Sequence, residues 1–362
     1  MKIKIKQKEL NRALQITSKA ITAKTPMEIL KGFLLQTENN QLYITGNNLQ
    51  LGIKVKIDCE IEEPGKTVVE AKLFLEIVRK LSGDIVKLEV KDGIIEIKSG
   101  RAKFTIREMS SDDFPTVEEL DKGVYQRLNP EILKDMIRKT SFAVSTDISR
   151  PLFNGVKIEI RRENLKMFAL DGYRIAVKEV EMKADIDDCK INVPTDTINE
   201  VMNLSENFEG DVLLGIESRD ASFQIGDVLI KTQLIAGEYD DYNSAFPSEF
   251  KTTVKLNRKE FLDSLDRAMT VSENRSVKFE INEDGMTVMA KSNILGDLKE
   301  LLDSKVLGES LIISFNIMYF TDVLKNITNE EITLKFNSSI SPCILTCEDE
   351  PGYTYLLLPV RM

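Results

Sequence analysis

The sequence predicts an α+β fold written three times along one chain, each copy holding two helices and antiparallel sheets. Three observations predict it. A strand-like alternation that passes straight into an amphipathic helical pattern occurs in KIKIKQKELNRALQITSKAI from Lys2, VYQRLNPEILKDMIRKTSFAV from Val124 and TVKLNRKEFLDSLDRAMTV from Thr253. A second strand-to-helix passage occurs in VVEAKLFLEIVRKL from Val68, INVPTDTINEVMNL from Ile191 and IISFNIMYFTDVLKNI from Ile312. The two sets keep step: Leu10, Leu133 and Phe261 align in the first, Ala71, Pro194 and Asn316 in the second, each roughly 120 residues apart.

Taken in order, the first copy opens on a strand and the helix around Leu10. FLLQTENNQLYITGNNLQLGIKV follows as strands paired around Asn39-Asn40, and the helix begun at Lys72 closes on Arg79 and Lys80. IVKLEVKDGIIEIKSGRAKFTI then turns at Asp92-Gly93, where glycine favours positive φ. The second copy gives GVKIEIRRENLKMFALDGYRIAV and DVLLGIESRDASFQIGDVLIKTQL; the third gives VKFEINEDGMTVMAKSN and ITLKFNSSISPCILTCEDEPGYTYLLLPV. Acidic, proline-bearing stretches separate the copies, DDFPTVEELDKG (112–123) and DDYNSAFPSEF (240–250). The expected domains are 1–121, 122–247 and 248–362.

Composition narrows the function. No stretch of about 18 apolar residues exists, and MKIKIKQKEL alternates charge with isoleucine, so neither a membrane span nor a secretion signal is expected and the chain is read as cytoplasmic. There is no histidine, which removes the commonest general base and metal ligand. The cysteines, Cys59, Cys189, Cys343 and Cys347, are scattered and read as buried thiols; no metal, cofactor or catalytic residue is expected. Gly65-Lys66-Thr67 has only the tail of a phosphate loop, with Glu60 where its first glycine belongs and a strand where its helix belongs. Net charge is −10, so any basic surface must be local. Basic residues do recur on helices: Arg12 and Lys19 with Lys24 just beyond, Arg79 and Lys80, Lys134 and Arg138, Lys259 and Arg267. This recurrence points to positive charge gathered on one side; the helix over 197–203 breaks it, carrying Glu200 and no base. FALDGYRIAV is a hairpin whose Asp171-Gly172 turn presents Tyr173 and Arg174.

The order and spacing of DFP (Asp113 to Pro115), RPLFNG, LDGYRIAV, LIAGEYDDY ending in FP, FNIMYFTDVL and the terminal LPVRM resemble the bacterial β sliding clamp family along the whole chain. The resemblance implies a DNA clamp fold and a head-to-tail homodimeric ring that encircles duplex DNA without reading its sequence. It implies a non-catalytic processivity subunit that tethers the catalytic subunit of DNA polymerase III, the clamp loader and other proteins with a clamp-binding motif. By matching positions it puts Lys24 and Lys72 toward DNA, and the basic residues on the helices add Arg79, Lys80, Lys134 and Arg138 as DNA-binding candidates. It makes a partner-peptide cleft of Phe153, Leu170, Gly172, Tyr173, Arg174 and Ile175 with Ala245, Asn316, Tyr319 and Cys343. Leu356, Leu358, Pro359, Val360 and Arg361 complete that cleft. It makes a dimer interface of Arg101, Lys103, Phe104 and Ile106 against Thr270, Val271, Glu300 and Asp303.

The family's partners insert a glutamine and a leucine-phenylalanine pair, which suits apolar walls with few polar anchors. Departures stand at Pro151 and Leu152, where the family has aromatics, at Thr195 and Asp196, where it has bases, and at Tyr173, Asp240 and Ser244 in the cleft. Two other readings stay open at this point. One is a carboxylate-dependent hydrolase using Asp171 with Asp240 or Asp241. The other is a protein-docking scaffold that binds no DNA.

Overall fold

The computed structural model describes residues 1–118, 125–237 and 242–360. The first repeat holds β1 (Lys2–Lys6), α1 (Gln7–Thr17), β2 (Gly32–Glu38), β3 (Gln41–Asn47), β4 (Leu51–Asp58), β5 (Glu60–Glu63), β6 (Lys66–Glu70), α2 (Ala71–Lys80), β7 (Ile85–Lys91), β8 (Ile94–Ser99) and β9 (Ala102–Arg107). The second holds β10 (Gln126–Leu128), α3 (Pro130–Thr140), β11 (Gly155–Arg161), β12 (Asn164–Leu170), β13 (Arg174–Glu181), β14 (Cys189–Pro194), α4 (Thr195–Ser205), β15 (Val212–Ile216), β16 (Asp220–Ile225) and β17 (Val228–Gln233). The third holds β18 (Thr252–Asn257), α5 (Arg258–Val271), β19 (Ser276–Asn282), β20 (Gly285–Ser292), β21 (Gly296–Leu302), β22 (Ser304–Gly308), β23 (Leu311–Asn316), α6 (Ile317–Asn326), β24 (Glu331–Phe336), β25 (Cys343–Thr346) and β26 (Tyr353–Leu357). Among the described residues all strand pairing is antiparallel, and each repeat enters both helices from a strand, with only Asn129 intervening before α3, as the sequence predicts.

The helix starts have a local cause. Glu70 caps α2 by accepting from the backbone N–H groups of Lys72 and Leu73, and Asn316 caps α6 by accepting from Met318. The cap positions that correspond are therefore Glu70, Pro194 and Asn316. The sequence alignment, which matched Ala71, is corrected by one residue. Similarly, α1 ends at Thr17, so Lys19 lies in the 3₁₀ turn Ser18–Ala20, and α4 extends beyond 197–203 at both ends. Two predicted hairpin turns are mirror-image turns: Asn39 and Asn40 have φ of 49° and 61°, and Asp92 and Gly93 have 53° and 78°.

The described residues gather into two compact bodies, and these do not follow the repeats. One body comprises Met1–Pro130 with Asn203–Leu234; it contains the five-stranded sheet β5-β1-β7-β8-β9 and the eight-stranded sheet β10-β15-β16-β17-β4-β3-β2-β6. The other comprises Glu131–Met202 with Ile235–Met362; it contains the nine-stranded sheet β14-β11-β12-β13-β26-β25-β24-β18-β22 and the four-stranded sheet β21-β20-β19-β23. The cause is hydrogen bonding across repeat boundaries, β17 with β4 in the first body and β13 with β26 in the second. In the first body α1 and α2 pack together with Leu10, Ala13, Leu14, Phe74, Ile77 and Val78 buried. In the second α5 packs on α6, and Phe261, Phe279, Phe315 and Phe320 form a set of tilted and edge-on aromatic contacts. None of the described helices is long and apolar enough to cross a membrane.

Candidate functional site

The FALDGYRIAV corner lies in the second body, where β12 turns into β13. Asp171 builds the turn: its Oδ1 accepts from the N–H groups of Tyr173 (2.9 Å) and Arg174 (3.1 Å), and Gly172 takes φ of 95°. A Cβ at Gly172 would lie 3.2 Å from an Arg150 guanidinium nitrogen, so space and backbone both favour glycine there. The Arg174 guanidinium is buried. Its Nε donates to Asp171 Oδ2 at 3.0 Å, Nη1 to Asp322 Oδ2 at 2.6 Å and Nη2 to the Phe142 carbonyl at 2.9 Å. It also lies 4.5 Å from the centre of the Tyr319 ring. Tyr173 is 60% exposed and lies near Tyr319, ring centres 6.3 Å apart and nearly parallel. Arg174 therefore holds the corner, while Tyr173 is left exposed on it.

Beside the corner lies an apolar cluster of Phe168, Leu170, Ile175, Val177, Ile344 and Leu356, against which Phe153, Tyr242 and Phe246 pack. Leu170, Ile175, Leu356 and Phe153 are thus brought together as predicted. Ala245 is exposed at the end of the 3₁₀ turn Tyr242–Ala245, beside the packed Tyr242 and Phe246. The C-terminal segment closes the far side: Leu358 N–H donates to the Tyr173 carbonyl and Val360 N–H to the Ser314 carbonyl, both at 2.9 Å. Leu358 and Val360 stay 37% exposed. Pro359 lies between them, and Arg361 falls outside the described residues. Asn316 is occupied as the cap of α6.

Cys343 departs from the prediction. It is 1% exposed and lies off the apolar cluster, because successive strand residues face opposite ways and its neighbour Ile344 supplies the wall. Burial pushes the Cys343 thiol well above its ordinary range. Ile344, Val177, Phe168, Tyr242 and Phe246 were missed by the sequence reading. Phe168 and Val177 are the ends of the FALDGYRIAV stretch, and the signal for Tyr242 and Phe246 was a pair of aromatics four apart in the otherwise polar DDYNSAFP stretch.

The basic residues divide into two kinds. Lys24, Lys72 and Lys80 are exposed, with no carboxylate at ion-pair distance among the described residues. Arg79 is 3.9 Å from Glu76. On α3, however, Lys134 pairs with Glu131 at 2.8 Å and Arg138 with Asp135 at 2.6 Å. On α5, Arg267 is tied to Glu300, and Arg258, Lys259 and Arg267 are balanced by Glu260, Asp263 and Asp266, so that helix carries no positive surplus. In the first repeat, too, Arg12 of α1 pairs with Asp227 at 2.9 Å, so the expected gathering of positive charge comes down to a few bases such as Lys24, Lys72 and Lys80.

The interface candidates fall on sheet edges. β9 is the edge of its sheet and shows Lys103 and a 39% exposed Phe104, with Ile106 half-buried; Arg101 lies in the turn before it. Lys103 is paired with Glu96. β21 is likewise an edge; its Glu300 accepts from Ser264 Oγ at 2.8 Å and from Arg267, whose guanidinium holds its carboxyl below the usual range. Asp303 follows β21 on the surface, and Thr270 and Val271 end α5.

A thrice-repeated α+β chain, with helix pairs backing sheets that run on across repeat boundaries and an apolar cleft beside its C-terminus, defines a scaffold of the DNA-clamp class. Sequence signatures of the DNA polymerase III beta subunit match the chain: the N-terminal domain over residues 1–118, the central domain over 127–241 and the C-terminal domain over 243–361. A putative DNA polymerase III beta subunit of Eubacterium rectale is 31% identical with TM-score 0.95, each chain covered at 100%. The Bacillus subtilis sliding clamp is 28% identical with TM-score 0.96, covering 100% of this chain and 99% of the other. The beta sliding clamp of Staphylococcus epidermidis is 28% identical over 374 residues, 100% of this chain and 99% of that protein. The chain belongs to the bacterial β sliding clamps, the β subunits of DNA polymerase III. It is a DNA sliding clamp and a non-catalytic processivity subunit. The hydrolase and DNA-free readings do not stand, because the chain's relatives are DNA sliding clamps; Asp171 is in addition committed to its own turn and to Arg174, while Asp240 and Asp241 lie outside the described residues.

Proposed function

We propose that two copies of this chain join head to tail into a ring around duplex DNA in the cytoplasm, with three domains per copy at 1–121, 122–247 and 248–362. In this reading β9 of one copy pairs along β21 of the other. Phe104 and Ile106 meet Thr270 and Val271, while Arg101 and Lys103 face Glu300 and Asp303. The observation that carries it is that β9, in the first repeat, and β21, in the third, are both edge strands, β9 with an exposed Phe104 and β21 with an exposed Leu301. Lys24, Lys72, Arg79, Lys80, Lys134 and Arg138 meet phosphates without base contacts, which permits sliding. The cleft around Leu170, Gly172, Tyr173, Arg174, Ile175, Tyr319 and the C-terminal segment takes the peptide of the polymerase catalytic subunit, the clamp loader and other partners.

Topology then holds the ring on DNA, so free ends release it. The test is mass in solution together with retention on nicked circular and linear duplex. A dimer retained on circles and lost from linear DNA is expected; equal retention on both, or a monomer, rejects the ring.

A further inference from the structure

We propose that the partner peptide continues beyond the glutamine end of the cleft into a second pocket that receives an acidic side chain. This rests on the cleft reading above and extends it. The pocket, about 840 Å³, lies over the outward face of β19, β20 and β21. Strand register sets its chemistry: Lys278 lies opposite Met289, and Met289 opposite Lys299, so two ammonium groups flank a thioether.

The acids nearby leave one of these charges uncompensated. Glu280 is 3.6 Å from Lys299, and Asp297 lies opposite Lys291 in the register. Glu273 is committed, its Oε1 accepting from Ser292 Oγ and the Asn293 N–H at 2.7 Å each. Lys278 has no carboxylate at ion-pair distance among the described residues. A carboxylate over Met289, between Lys278 and Lys299, would meet that charge beside an apolar floor that sheds part of its water.

Continuity with the cleft comes from two shared residues. Asn316 and Val360 line this pocket and were both assigned to the cleft. The apolar cluster at the other end, with Leu170, Ile175 and Phe153, suits the leucine-phenylalanine pair. The glutamine end of the peptide is then the end that faces Asn316, and the acidic residue belongs ahead of the glutamine.

The experiment compares synthetic fluorescent peptides on the full-length protein by anisotropy at low salt. All contain the glutamine and leucine-phenylalanine core, flanked by two aspartates before the glutamine, two aspartates after the phenylalanine, or alanines. The leading aspartates are expected to tighten binding about threefold to fivefold, the gain of a partly exposed ion pair, and the trailing ones not at all. Lys278→Glu should abolish the gain and Lys278→Arg keep it, while the alanine-flanked peptide binds all three proteins alike and so reports intact folding. Equal binding of the leading-aspartate and alanine peptides, or a gain that survives Lys278→Glu, overturns this proposal and leaves the cleft standing. Failure of every peptide to bind overturns the cleft and this proposal together.

Discussion

Arg174 shows what one side chain does for the corner. Its three donors satisfy two carboxylates and a buried carbonyl in one plane, which an ammonium cannot reproduce. Arg174→Ala should destabilise the chain by about 3 kcal/mol, the low end for breaking a buried pair, because Asp322 keeps a third of its side chain in water. A urea midpoint measurement checks this, and Arg174→Lys should recover only part of the loss. The register of β25 makes a second residue-scale prediction. Ile344→Ala should weaken binding of the polymerase peptide more than Cys343→Ala does, since only Ile344 belongs to the cleft cluster. Isothermal titration with both variants decides it; the reverse order would return Cys343 to the cleft. The turn and its Tyr-Arg step were legible in the sequence. What it could not give was the division of labour, because Asp322 and Phe142, which bury Arg174, are far along the chain.

At the scale of elements, β5 is the clearest case of a strand held by charge. It is a sheet edge with only Ile61 half-buried, and Lys2 and Lys4 reach Glu62 at 2.8 and 2.9 Å. Hydrogen bonds from Lys2 and then Lys4 hold the Glu62 carboxyl at about 2, against an ordinary 4.5. A depressed carboxyl stabilises the fold fully above its unfolded pKa, and that stabilisation disappears as pH falls through the folded value. Protection against amide exchange along Glu60–Glu63, relative to the intrinsic rate at each pH, should therefore fall selectively between about pH 4.5 and 2, and added salt should mimic part of the effect at neutral pH. Protection that is flat across this range would show that backbone pairing alone holds the strand. Elements with strong local signals, such as the Asp92-Gly93 hairpin, were legible. The Ala71 alignment slipped because Glu70 is an unusual cap and gives no Ser, Thr, Asp or Asn signal.

For the whole molecule, the distribution of charge matters more than its sum. With Lys134 and Arg138 each matched by a carboxylate one turn away, the bases free to replace counterions on DNA are chiefly Lys24, Lys72 and Lys80. Replacing those three by alanine should shorten retention on circular duplex and flatten its salt dependence more than replacing Lys134 and Arg138. Equal effects would mean that the α3 ion pairs open to reach phosphate. Deleting 358–362 should abolish binding of the polymerase peptide and leave the oligomeric mass unchanged. This follows because Leu358 N–H is bonded to the Tyr173 carbonyl at the corner, and no residue of 358–362 belongs to β9 or β21. Peptide binding by the truncated chain would remove the C-terminal segment from the cleft.

The sequence by itself determined the threefold repeat, the strand-to-helix order of each copy, the hairpin turns and the place of the Asp171-Gly172 corner. Each of these rests on periodicity or on the backbone needs of a few adjacent residues, and such information is local. Only the tertiary structure decided that β17 joins β4 and β13 joins β26, so that the compact bodies cut across the repeats. It alone decided which bases are ion-paired, that Ile344 and not Cys343 joins the apolar cluster, and that Arg174 is buried against Asp322 and the Phe142 carbonyl. The physical reason is that edge pairing, ion pairing and burial join residues distant in the chain, and no local pattern records which distant partner each will meet.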